Sequence, residues 1–260
     1  MLEKFNYFNI VKISPWPFMT SMSLMNFFFS LWLLIKTTNL INFYFSILFF
    51  FFCVIFWFMD LNYEVNFLGM ESMNLITTMK LFFFLFILSE LMVFFSLFWA
   101  NYWFFYVPDN NLMMFSLKSI KFFDYKMIPM LNTFILISSS ITITLSHLYM
   151  NKGKKKMMLN SLIITIILGL IFTYFQYTEY KNSFFNINDS CYGSIFFTLT
   201  GLHGIHVILG NLVLKFCTFK MIFMEDLINK FDSFEMGVWY WHFVDLMWLF
   251  VIYSLYFLNN

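Results

Sequence analysis

The sequence predicts an all-α polytopic membrane protein with seven transmembrane helices. Three observations carry that expectation. The 260-residue chain is 61% hydrophobic and only 11% charged, with 42 phenylalanines, a composition far from that of soluble domains. Apolar runs long enough to cross a hydrocarbon core of about 30 Å recur along it. Lysines and other polar residues fall mostly between those runs.

The runs occupy residues 18–35, 40–59, 81–106, 127–150, 158–178, 192–219 and 238–257 of a single membrane domain covering 1–260. Lys4, Lys12 and the motif Ser14-Pro15-Trp16-Pro17 precede the first, and no small-residue cleavage site follows, so this is not a signal-peptide layout. Residues 36–39 alone separate the first two runs, which must therefore form an antiparallel pair. The third, at about 1.5 Å per residue, is roughly 39 Å long and crosses with some tilt. Longer polar segments at 60–80, 108–126 and 225–235 set off the remaining spans. Ala100 is the single alanine, so helix contacts must rely on Phe, Leu, Ser and Thr in place of the usual small residues. Every one of the 15 basic residues is lysine; with abundant Phe, Ile, Leu and Asn, that skew suggests a compact, AT-rich organellar genome.

Orientation follows from the lysines. With the N-terminus inside, the inner face carries Lys4, Lys12, Lys80, Lys152, Lys154, Lys155, Lys156, Lys215, Lys220 and Lys230, and the outer face Lys36, Lys118, Lys121, Lys126 and Lys181. The excess favours N-in and C-out. The Lys152-Gly153-Lys154-Lys155-Lys156 run reads first as a topology signal on a solvated turn, and second as a contact for anionic headgroups. A net charge of +1 and no basic stripe exclude nucleic-acid binding. Cys53, Cys191 and Cys217 make no CxxC pair and read as small apolar residues. No internal repeat with a clear period is visible, which weighs against an inverted-repeat transporter.

Glu90 sits within the third span with no basic residue in that run. A charged carboxylate at such depth costs at least about 2.5 to 3.5 kcal/mol. Two readings stand: a functional acid facing inward, or a protonated one hydrogen-bonded to a neighbouring helix. The sixth span carries Gly201-Leu202-His203-Gly204-Ile205-His206, whose i, i+3 spacing places both imidazoles on one face while the glycines let another backbone approach. HxxH alone is weak evidence for a metal; buried histidines hydrogen-bonded between helices are the plainer expectation. The last span opens with Trp239-Tyr240-Trp241, read as an interfacial aromatic belt, followed by His242 and Asp245, placed to share a hydrogen bond. Counted from opposite sides, Glu90 and His203 or His206 reach a similar depth, so a pair is permitted. Such a pair suits a structural lock or part of a proton path.

Further motifs occur in a telling order: Ser14-Pro15-Trp16-Pro17, then Trp57, Asp60 and Glu64, then Ile87-Leu88-Ser89-Glu90 with Phe98-Trp99-Ala100. Pro129-Met130-Leu131-Asn132-Thr133 follows, then Gln176, Glu179, Tyr180 and Tyr192-Gly193-Ser194. The most specific are Gly201-Leu202-His203-Gly204-Ile205-His206-Val207 and Trp239-Tyr240-Trp241-His242-Phe243-Val244-Asp245. Over nearly its whole length the chain resembles the cytochrome c oxidase subunit 3 family. It departs from that pattern at Met59, where the family has arginine, at Met70 and Glu71 in place of a histidine pair, and at Trp103 and Leu148 in place of single histidines. The W-P-P-x-G stretch before Pro129 is missing too.

The resemblance implies a two-helix pair and a five-helix bundle around a V-shaped cleft that holds phospholipid (cardiolipin, phosphatidylglycerol or phosphatidylethanolamine) and has been proposed as an oxygen route, with Trp57, Asp60, Glu64 and Glu90 as lipid-cleft candidates. It implies a subunit of mitochondrial complex IV that holds no metal and catalyses nothing alone, packed beside subunit 1, which carries haem a, haem a3 and copper. Subunit 2, accessory subunits and other respiratory complexes are further implied partners. The implied location is the inner membrane, with the N-terminus in the matrix and the C-terminus in the intermembrane space. Glu90 takes the position of the family's carbodiimide-reactive carboxylate, and Glu90, His203, His206, His242 and Asp245 are the candidates for proton supply or structure. A proton-coupled secondary transporter using Glu90 and a histidine is the competing class. A di-iron desaturase fails, because four histidines are too few for its ligands.

Overall fold

The computed structural model describes residues 14–38, 40–68, 73–106, 127–223 and 232–257, without the side chains of 62, 64–68, 73–76, 223 and 232. Lys4, Lys12, Met70, Glu71, Lys118, Lys121, Lys126, Lys230 and the Glu64 side chain fall outside that description. Seven helices follow one another: α1 (Trp16–Thr37), α2 (Leu40–Leu68), α3 (Met73–Tyr106), α4 (Ile128–Asn151), α5 (Lys155–Lys181), α6 (Cys191–Phe223) and α7 (Asp232–Ile252). A π-helical turn (Tyr253–Phe257) ends α7. All seven are long and apolar enough to cross a membrane, and no strand occurs among the described residues. The all-α polytopic fold expected from the sequence is the one found.

Several helices outrun their apolar segments. α2 continues to Leu68, α3 starts at Met73 and α7 at Asp232. Hydropathy marks the thickness of the hydrocarbon, whereas backbone hydrogen bonding carries a helix on into the headgroup region.

The chain divides into two compact units, Met1–Leu75 and Ile76–Asn260. The first contains the α1–α2 pair. Its contact stripe is polar and small: Thr20, Ser23 and Ser30 are buried on α1, and Ser30 Oγ lies 2.5 Å from Ser46 Oγ on α2. Each serine also donates or shares with a carbonyl three residues back on its own helix, Phe27 for Ser30 and Phe43 for Ser46. Hydroxyls thus take the place of the missing alanines and glycines at the closest approach. Trp16 stacks on Phe56 at 5.7 Å, and Phe27 meets Phe43 at 5.7 Å, which ties opposite ends of the two sequences together as an antiparallel pair requires. The turn between them uses Thr38 at φ 57, whose N–H bonds to Leu34 O; left-handed geometry at a β-branched residue is costly and tolerated here by that bond.

The second unit holds α4 to α7 and all but the first turn of α3. α4 and α5 form a hairpin through Gly153 at φ +68, a conformation suited to glycine. Trp241 is the centre of the packing. It is fully buried, and its Nε1–H donates to Ser139 Oγ on α4 at 3.0 Å. Its ring lies where glycines leave room: a Cβ on Gly169 would stand 2.7 Å from it, and one on Gly210 2.9 Å. The expected interfacial belt is therefore corrected. Of Trp239, Tyr240 and Trp241, only Trp239 is exposed, because α7 begins six residues before the apolar run and carries the other two rings into the core. At the start of α6, Ser190 Oγ accepts from Gly193 N–H at 3.0 Å, an N-cap. α3 joins the bundle through long side chains: Phe94 and Phe98 are buried, and Lys80 Nζ reaches Glu235 Oε2 on α7 at 2.8 Å. That ion pair places the N-terminal ends of α3 and α7 on one side.

Candidate functional site: a buried acid and imidazole

Glu90 projects from the middle of α3 with its side chain 25% exposed. One turn before and one turn after it on α3, Phe86 and Phe94 both touch the same cluster of rings. Opposite it stands His206 of α6. Glu90 Oε2 and His206 Nε2 are 3.5 Å apart, longer than an ordinary hydrogen bond but close enough for strong electrostatic coupling in low dielectric. The other ring nitrogen, Nδ1, lies 2.7 Å from the Tyr240 hydroxyl of α7. Three helices therefore contribute one polar side chain each to a line running Glu90, His206, Tyr240. Rings of Phe94 and Phe243 flank the imidazole at 5.4 and 6.2 Å. The surroundings are otherwise apolar.

His203 does not join this line. A difference of three residues is about 300° around a helix, so its ring is turned roughly 60° from that of His206. That rotation aims it at α5 and α7, between Phe172 at 5.6 Å and Trp248 at 5.0 Å. Neither of its nitrogens has a hydrogen-bond partner. The expected hydrogen-bonded histidine pair is thus corrected to one bonded and one wedged ring. The glycines around them behave differently from expectation as well: nothing lies within 4 Å of a Cβ built on Gly204, and no backbone approaches Gly201.

The expected bond between His242 and Asp245 is absent, since both Asp245 carboxyl oxygens lack a hydrogen-bond partner. His242 is half-buried on α7. On α2, Trp57 and Asp60 are half-buried within the first unit. Among the described residues, no group of three or more His, Cys, Asp and Glu side chains is arranged to hold a metal.

Two features escaped the sequence reading. Tyr240, expected at the membrane surface, is 5% exposed beside His206. Glu179, just beyond the apolar run at 158–178, is 1% exposed. Its Oε1 accepts a 2.5 Å hydrogen bond from the Tyr256 hydroxyl in the π-helical turn. A signal existed for the second: Gln176 and Glu179 are i, i+3 and continue one face of α5 along with Phe172.

The comparisons with known proteins agree with this architecture. A family model described as cytochrome c oxidase subunit III matches residues 6–260. The chain belongs to the cytochrome c oxidase subunit III family. Curated relatives include cytochrome c oxidase subunit 3 of Myxine glutinosa, 36% identical over 98% of both chains. That of Cyanidium caldarium is 37% identical over 96% of this chain and 93% of its own, and that of Podospora anserina 36% identical over 96% and 94%. The match spans essentially every helix, so the subunit III family's polytopic helical fold and the seven spans found here are the same architecture.

Proposed function

We propose that this chain is a non-catalytic core subunit of mitochondrial cytochrome c oxidase, respiratory complex IV, in the inner membrane. In that reading haem a, haem a3 and copper reside in partner subunits, where electrons from cytochrome c reduce oxygen and protons are pumped. This chain stabilises subunit 1 and sustains proton uptake. The observation that carries the proton-supply part is the Glu90–His206 pair: a carboxyl and an imidazole 3.5 Å apart in an apolar bundle, each able to hold or release a proton. The carboxyl is not consumed in fixing helices tightly, since its contact is long and Glu90 is partly open.

Bound phospholipid belongs to the same proposal, with Trp57, Asp60, Glu64 and Glu90 as its candidate contacts. Support comes from the half-buried positions of Trp57 and Asp60 on an α2 whose other faces are strongly apolar. For orientation, the lysine distribution favours the N-terminus in the matrix and the C-terminus in the intermembrane space. Subunit 2, accessory subunits and supercomplex partners are the remaining expected neighbours.

The test is mass spectrometry of the intact membrane complex, combined with Glu90→Gln. The chain should travel with haem-bearing subunits and phospholipid, and the variant should assemble with its lipid while proton uptake falls. Isolation of the chain alone with proton-driven transport in vesicles would overturn the proposal in favour of a carrier. An assembled Glu90→Gln complex with unchanged proton uptake would remove the role of the acid.

A further inference from the structure

We infer that Tyr240 is the positioning residue of this site: its hydroxyl donates to His206 Nδ1 and thereby presents His206 Nε2–H to Glu90. The inference deepens the proposed role of the Glu90–His206 pair and rests on that reading only for its functional meaning. The geometry carries it. A neutral imidazole has one N–H and one lone pair, and the bond made at one nitrogen decides what the other presents. His206 Nδ1 and the Tyr240 oxygen are 2.7 Å apart, and Tyr240 is 5% exposed.

Two arrangements fit that distance. If Nδ1 carried the proton and donated, the buried Tyr240 O–H would have no acceptor among the described residues. If Tyr240 donates, its hydrogen is used, Nδ1 is the acceptor, and the ring proton sits on Nε2, 3.5 Å from Glu90 Oε2. The second satisfies both buried groups at once.

Packing holds both rings in register for this. Tyr240 stacks on Phe86 at 6.4 Å and 22° and meets Phe83 edge-on at 6.4 Å. Gly210, one turn beyond His206 on α6, leaves the space: a Cβ there would lie 3.5 Å from Tyr240 Cδ1 and 2.9 Å from the Trp241 ring. Phe243 closes the imidazole edge-on at 87°. The hydroxyl is thus aimed by neighbours that have no polar role of their own.

The tautomer of His206 can be read directly by nitrogen-15 and carbon-13 magnetic resonance of histidine-labelled, fully assembled complex. Wild type should show the Nε2–H form. In Tyr240→Phe the ratio of Nε2–H to Nδ1–H should fall by up to about tenfold, the factor an ordinary net hydrogen bond supplies. Phe86→Leu, which alters packing against Tyr240 and leaves its hydroxyl, should not move the ratio. A wild-type Nδ1–H tautomer overturns the inference. So does an unchanged ratio in Tyr240→Phe, or an equal change in both variants. Should Tyr240→Phe fail to assemble, the wild-type tautomer decides alone. No turnover enters this measurement, so its failure and a failure of the proton-uptake role are read separately.

Discussion

Two acids lie inside the same helical unit and are held in opposite ways. Glu90, in the middle of α3, is a quarter exposed and stands 3.5 Å from an imidazole. Glu179, near the end of α5, is 1% exposed and takes a 2.5 Å hydrogen bond from Tyr256. The outer group is part of a C-terminal lock. The last carbonyls of any helix lack partners within it, and the π-helical turn ending α7 has two of them bonded by side chains: Ser254 O by Asn101 Nδ2 at 3.1 Å and Leu255 O by the Tyr192 hydroxyl at 3.3 Å. With Tyr256 bonded to Glu179, three other helices hold this one turn. A carboxyl so fixed is a joint, whereas one held loosely beside a titratable ring is free to exchange a proton. Burial and partner together separate these roles: Glu179 is enclosed and tightly bonded, and Glu90 is partly open and loosely paired.

The largest predicted effect tests the joint. Glu179→Ala removes the Oε1 acceptor of the Tyr256 hydroxyl and opens a cavity in the core, for a cost of about 2 to 4 kcal/mol. The thermal midpoint of the assembled complex should fall and the yield of assembled subunit should drop. Tyr256→Phe, which deletes only the donor, should cost about 1 to 3 kcal/mol. If both variants assemble and melt as wild type, Glu179 is no lock and the contrast collapses.

Glu90→Gln sits next in size. The amide keeps the shape of the carboxyl and can still bond the imidazole, so stability should change by about 0.5 kcal/mol or less, as for a partly exposed site away from the core. Proton uptake by the complex should fall instead. A melting shift as large as that of Glu179→Ala would make both acids structural. His203 offers a further check: with neither nitrogen bonded, His203→Phe places an apolar ring between Phe172 and Trp248 at little or no cost in thermal midpoint. A large destabilisation there would mean that His203 has a polar partner of its own.

The spans were legible because apolar runs of membrane length have few other uses, and the Glu90 site was half legible for the same reason. Depth counted along α3 and α6 brought Glu90 level with two histidines. It did not choose between them, because His203 and His206 differ by about 60° in rotation and little in height. Only the packing of α6 against α3 on one side and α5 on the other decides that. Tyr240 was misplaced since an aromatic cluster at the start of an apolar run looks interfacial; α7 in fact starts at Asp232. Glu179 was passed over by the same error in mirror image, as α5 continues to Lys181 with its inward face intact.

A small effect is also expected at the contact with the best charge geometry. Lys80 and Glu235 meet at 2.8 Å, closer than Glu90 and His206, but their side chains are 30% and 34% exposed. Water and salt near the headgroups screen such a pair, and two long side chains lose rotamer freedom to make it. Lys80→Gln should therefore lower stability by about 1 kcal/mol or less, and the difference from wild type should shrink further as salt is raised. A loss matching that of Glu179→Ala would show that this end of α3 is as rigidly fixed as the π-helical turn. That the shortest charge contact matters less than the Glu179 joint follows from solvent access: an interaction in the apolar interior has no water to replace it, and one at the membrane surface does.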